Sequence, residues 1–146
     1  MSKLEKRSAM RIAANISTLL FAVTIVLQLL LAAGVLPISV AWGGTQPVLT
    51  AGLRAASLAA AALLAAFAYI IRLRAGLLGE GPPSRSIRIL SWVITAFLLL
   101  NTLGNLASRS AGERLLFGPI SLLLALSCLV VSLSKPEAEA ANLQQS

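Results

Sequence analysis

Four apolar runs separated by three short connectors make up most of the chain. They extend from about residue 12 to 36, 48 to 73, 87 to 107 and 111 to 133. Each is as long as the roughly 20 residues that an α-helix needs to cross a ~30 Å hydrocarbon core, so residues 12 to 133 form one membrane domain. Connections this short make neighbouring helices antiparallel, and the predicted fold is all-α, an integral membrane four-helix bundle. A basic segment, residues 1 to 11, precedes the domain. Residues 134 to 146 follow it as a tail with no apolar stripe, predicted to be disordered. A basic start before an apolar run is also the pattern of a signal peptide. The run exceeds the roughly 7 to 15 residues of such a core and three more follow, so it reads as an uncleaved span.

The breaks between runs carry their own signals. Pro37 to Pro47 is an uncharged connector in which Trp42 precedes Gly43 and Gly44, a turn beside an interfacial aromatic. The second span begins at Pro47 or at Thr50, and Arg54 lies either two turns or one turn inside it. Its alanines, Ala55, Ala56, Ala59, Ala60, Ala62, Ala65 and Ala66, suit close helix contact in lipid and mark it as the expected central packing element. Gly and Pro residues between Arg74 and Arg85 forbid a continuous helix there. Tyr69 and Trp92 flank that turn, at one membrane face. Ser110 and Glu113 have the S-x-x-E spacing of a capping box at the start of the fourth span, where Pro119 predicts a kink.

Composition agrees with a membrane solvent: 58% of the residues are hydrophobic and 12% charged, where soluble domains carry about 25% charge. The net charge of +7 does not imply nucleic acid, because the basic residues flank apolar runs and form no patch with aromatics. Nine of the twelve Lys and Arg residues fall at the N-terminus, the middle turn and the tail, against Arg54, Arg109 and Arg114 in or beside the other connectors. The positive-inside rule then places both termini in the cytoplasm. There is no His, and Cys128 is the single thiol, so no cofactor, metal site or disulfide is expected.

With that orientation, polar residues of different spans share one depth near the outer face. Gln28, Arg54 and Asn101 lie within roughly 12 Å of the boundary at 1.5 Å per residue. Asn101, Asn105 and Ser108, three and four apart, project from one helix face. Buried amides and an intramembrane Arg demand partners, so these groups are expected to point toward each other. They either make interhelical hydrogen bonds, with Arg54 reaching the headgroups or Glu113, or line a ligand pocket. In the second case the candidate binding residues are Gln28, Trp42, Arg54, Asn101, Asn105, Ser108 and Glu113, with Arg54 as an anion-recognising group. For Glu113 the capping box is a sufficient structural explanation.

The motifs AWGG (Ala41 to Gly44), LR (Leu53, Arg54), NTLGN (Asn101 to Asn105), SRSAGER (Ser108 to Arg114) and FGP (Phe117 to Pro119) resemble those of an uncharacterised group of small four-span bacterial inner-membrane proteins. The resemblance implies a bacterial plasma-membrane setting and brings no activity, substrate or catalytic residue.

Two functional readings follow. The chain acts by packing on itself or on a membrane-protein partner, or it binds or transports a small molecule or lipid headgroup through the outer polar layer. No catalytic residue is assigned: acid-base chemistry has only Glu113 and Tyr69 to draw on, at opposite faces. All five Glu residues lie at span ends or outside, which disfavours a proton-coupled exporter that uses a mid-membrane carboxylate.

Overall fold

A computed structural model describes residues 3–134, and these are all-helical with short connectors. The helices are α1 (Lys3–Ala33), α2 (Ala51–Arg74), α3 (Arg85–Ala107) and α4 (Gly118–Leu133), and a π-helical turn (Glu113–Phe117) leads into α4. Each is long and apolar enough to cross a membrane, α4 together with its π turn. The antiparallel four-helix bundle expected from the hydrophobic pattern is therefore the observed one. The end where α1 begins and α4 finishes is called proximal below, and the end formed by the first and third connectors distal. The expected disorder of the tail falls on residues 135–146, outside the described ones.

α1 is longer than its apolar run, because residues 3–11 continue the same helix. At about 1.5 Å per residue it reaches some way beyond a ~30 Å core. Its end comes earlier than Pro37 suggests. Gly34, at φ 80, turns the chain, and the Leu31 and Leu30 carbonyls accept from the Gly34 and Val35 N–H groups. Thr50 is the N-cap of α2, accepting the Leu53 N–H at 3.2 Å, which places Arg54 in the first turn.

Inside and outside are reversed relative to a soluble bundle. Large apolar side chains such as Leu19, Val26, Leu100 and Leu123 are exposed, while Ser17, Ser57, Ser91, Thr95, Ser121 and Ser132 are buried. Most of these hydroxyls satisfy themselves on a carbonyl of the preceding turn, as Thr95 does on Ser91 at 2.8 Å. Thr95 and Ser132 also join α3 to α4 at 3.1 Å.

Packing order runs α2, α1, α4, α3, with broad contacts along that series and a much shorter one between α2 and α3. The core is built by Ala14 and Phe21 of α1 against Leu124, Ala125 and Cys128 of α4, with Ile94 and Leu98 of α3 closing on them. The central element is α4, half of whose apolar stretch is buried, against 17% for α2. This corrects the expectation raised by the alanines. Ala55, Ala59, Ala62 and Ala66 lie on the exposed face of α2, and the buried alanines of the helices are Ala13, Ala14 and Ala32 of α1, Ala61 of α2 and Ala125 of α4.

Three helix ends are closed by guanidiniums. Arg54 Nη1 donates to the Ala32 carbonyl at the end of α1 (2.8 Å). Arg74 Nη2 donates to the Ser134 and Ser132 carbonyls at the end of α4 (2.6 and 3.3 Å). Arg114 Nη1 donates to the Ser108 and Arg109 carbonyls just past α3 (2.8 and 3.1 Å). Each carbonyl group otherwise lacks an intrahelical donor, and the positive charge opposes the negative end of the helix dipole.

Arg74 is 4% exposed, so its replacement leaves buried carbonyls without a donor. Arg74→Leu is expected to cost about 1 to 3 kcal/mol, read as a lower thermal unfolding midpoint in detergent. The exposed Arg85 serves as reference, and Arg85→Leu should stay within about 0.5 kcal/mol of wild type. Equal midpoints for the two variants would contradict the capping role.

Candidate functional site

The distal end is assembled by two connectors that meet through glycine. A Cβ on Gly112 would lie 2.6 Å from the Val40 carbonyl oxygen and 2.8 Å from its Cα, and one on Gly44 would lie 2.8 Å from the Ser110 Cβ. Backbone therefore packs directly on backbone. Ser110 binds the connectors further, its Oγ donating to the Ser39 carbonyl (3.0 Å) and accepting the Glu113 N–H (3.3 Å).

That second bond is one half of the expected capping box. The other half is absent, because the Ser110 N–H is taken by Ser108 Oγ at 3.0 Å. The Glu113 carboxylate turns to the other connector instead. Its Oε1 accepts the Gly43 N–H at 3.0 Å, and its Oε2 accepts the Ser108 hydroxyl. Capping thus does not account for the Glu113 side chain, contrary to the sequence expectation. The π turn is completed by the Gly118 N–H bonding the Glu113 carbonyl, directly before Pro119, which has no N–H to give Leu115. The irregularity expected at Pro119 lies mostly one turn ahead of it, and it sets the directions of Glu113 and Phe117.

Beneath the connectors lies a cavity of about 290 Å³, bounded by α1, α2, α3 and the π turn. Gln28, Trp42, Asn101, Asn105 and Glu113 all line it. Gln28 Oε1 is buried and has no hydrogen-bond partner among the described residues. Asn105 Nδ2 donates to Ser121 Oγ at 3.2 Å and to the Phe117 carbonyl at 3.5 Å. Trp42 has φ 55, a backbone region that costs a bulky residue about 1 to 3 kcal/mol. Its indole N–H donates to the buried Ser57 hydroxyl at 3.2 Å, tying the connector to α2. The lower walls are apolar, with Leu63 and Leu64 of α2 opposite Phe97 and Leu98 of α3. One step toward the proximal end, Phe67 and Phe97 meet edge to face at 5.6 Å.

Two of the seven sequence candidates stand apart from this lining. Ser108 acts through Glu113, to which it donates. Arg54 is exposed and occupied at the end of α1, so the expected anion-recognising group is not among the lining residues, and no Lys or Arg is. Tyr69 is exposed at the proximal end, far along α2 from Glu113. Among the described residues, no three His, Cys, Asp or Glu side chains come together. Cys128 is buried in the α1 and α4 core. Sequence reasoning missed Ser57 and Thr24, which read as ordinary small residues within spans, and missed Gly43 as the donor to Glu113. The paired Gly43 and Gly44 marked a turn without marking what it faces. No family model, curated protein or solved structure matches the chain, so function has to be read from the cavity itself.

The glycine contacts make a specific demand. Gly112→Ala should force Val40 backbone to move and cost about 1 to 3 kcal/mol, whereas Gly104→Ala, which meets nothing within 4 Å, should be neutral or slightly stabilising. Comparing the unfolding midpoints of both variants in detergent checks this. A neutral Gly112→Ala would show that the connectors are not held in close backbone contact.

Proposed function

We propose that the protein is a bacterial plasma-membrane protein with both termini in the cytoplasm, and that it binds a small molecule or lipid headgroup in the distal cavity. The distal end then faces outward. The observation that carries the reading is the convergence of Gln28, Trp42, Asn101, Asn105 and Glu113 on one cavity, with polar capacity left over. Gln28 Oε1 is buried without a partner, and Asn101 makes no side-chain hydrogen bond among the described residues. An unpaired polar group in an apolar setting costs roughly 1 to 3 kcal/mol, a cost that a bound polar group removes. Lateral entry is favoured by the short contact between α2 and α3, whose lining residues Leu63 and Phe97 are each 45% exposed.

A second reading has its own support. The exposed Ala55, Ala59, Ala62 and Ala66 offer a smooth face on which another helix, from a second copy or a membrane partner, can pack closely. The two readings use different surfaces of α2 and are compatible.

Ala60 lines the cavity and has no polar role, so Ala60→Phe should fill it without disturbing a hydrogen bond. In native mass spectrometry from gentle detergent, wild type is expected to carry a small-molecule or lipid adduct, and Ala60→Phe to retain it about tenfold less or worse. Equal adducts in both proteins would contradict binding in this cavity. An oligomer without adduct, equal in both, would favour the packing reading.

A further inference from the structure

Granted that the cavity binds a ligand, its charge pattern narrows the class. We infer that the occupant is a lipophilic ammonium: a cationic, hydrogen-bond-donating head held at Glu113 and Trp42, with an apolar body lying between α2 and α3.

Glu113 is the single ionisable side chain lining the cavity. Of the arginines at the distal end, Arg54 is committed to the Ala32 carbonyl and Arg114 to the Ser108 and Arg109 carbonyls, while Arg109 is exposed and is not among the lining residues. The partners of the carboxylate are neutral, the Gly43 N–H and the Ser108 hydroxyl. A carboxylate offers about four acceptor positions, so two stay open. Among the described residues no Lys or Arg lines the cavity beside Glu113, so its carboxylate repels an anionic ligand and attracts a cation.

Two of the remaining groups suit such a head. Gln28 Oε1 is a buried acceptor waiting for one. Trp42 has already spent its indole N–H on Ser57, so what it offers the cavity is its ring, whose face attracts cations. Below this polar rim, Leu63, Leu64, Phe97 and Leu98 present only hydrocarbon. A charged head with an alkyl or aryl body matches both zones, and the sparse contact between α2 and α3 admits such a body from the bilayer side.

The test uses full-length protein in phosphatidylcholine nanodiscs, with Trp92→Phe leaving Trp42 as the reporter, since the chain has two Trp residues. Trp92 is exposed and is not a cavity residue. Three probes share one chain and differ in head: dodecylammonium, dodecanol and dodecyl sulfate. Dodecylammonium is expected to perturb Trp42 emission at a concentration about tenfold below dodecanol, and dodecyl sulfate to be weakest. Glu113→Gln should erase that preference. Because Glu113 also braces the connectors, Asn101 supplies the independent variants, having no side-chain hydrogen bond among the described residues to lose. Asn101→Asp should raise the preference for dodecylammonium over dodecanol and Asn101→Lys lower it, each by about tenfold.

Equal binding of dodecylammonium and dodecanol, unaffected by the Asn101 variants but abolished by Ala60→Phe, would overturn the ammonium inference and leave the binding reading standing. A preference for dodecyl sulfate would overturn it likewise. If no probe perturbs Trp42, the binding reading itself falls and takes the inference with it.

Discussion

A helix that stops inside or beside lipid leaves carbonyls that no water can satisfy, and much of this structure is organised by how those ends are closed. α2 carries an arginine at each end. Arg54 reaches back to α1 and Arg74 reaches across to α4, so one helix secures the C-termini of α1 and α4 at opposite ends of the bundle. Arg114 does the same for α3 from the following turn. Along its length α2 is the least buried of the four, and its broad contact with α1 is supplemented by these terminal contacts, by Arg72 on Thr18 at 3.2 Å and by the Trp42 bond to Ser57.

This use of arginine shapes the cavity chemistry. A guanidinium committed to backbone carbonyls is removed from the ligand site, and the polar rim is left with amides, an indole and one carboxylate. The carboxylate is in turn fixed by the first connector through Gly43 and by the third through Ser108. Glycines at 44 and 112 allow those connectors to touch without side chains between them. Closure of the distal end and orientation of Glu113 are thus a single arrangement.

Hydropathy alone made the bundle legible, since lipid imposes one simple rule on length and polarity. Span limits agree within a few residues for α2, α3 and α4 taken with its π turn, and α1 differs because its basic start continues the helix and Gly34 ends it before Pro37. Depth counting put Gln28, Arg54 and Asn101 in one layer, because depth along a helix is read directly from residue number, and of these Gln28 and Asn101 line the cavity while Arg54 does not. Rotation about the helix axis is another matter. The alanines of α2 satisfy a small-residue pattern whether they face a neighbour or lipid, and only the pairing of helices decides between them. Arg54 and Glu113 were misjudged for a related reason: a long side chain chooses among several partners, and the Ala32 carbonyl and Gly43 N–H that win are remote in sequence.

The π turn at Glu113–Phe117 has a geometric consequence beyond the bond it interrupts. A π turn holds one more residue than an α turn, and one residue corresponds to about 100° of helical phase. It therefore lets two unrelated registers coexist on one continuous helix. Below it, Ser121, Leu124, Ala125 and Cys128 keep a face buried within the bundle. At and before its start, Gly112 and Glu113 keep the direction needed to meet the first connector, beside Ser110. Removing one residue there would restore regular winding and rotate one set away from its partners. The wide turn is the vernier that lets a core and a rim, each with its own angular requirement, be written into a single element.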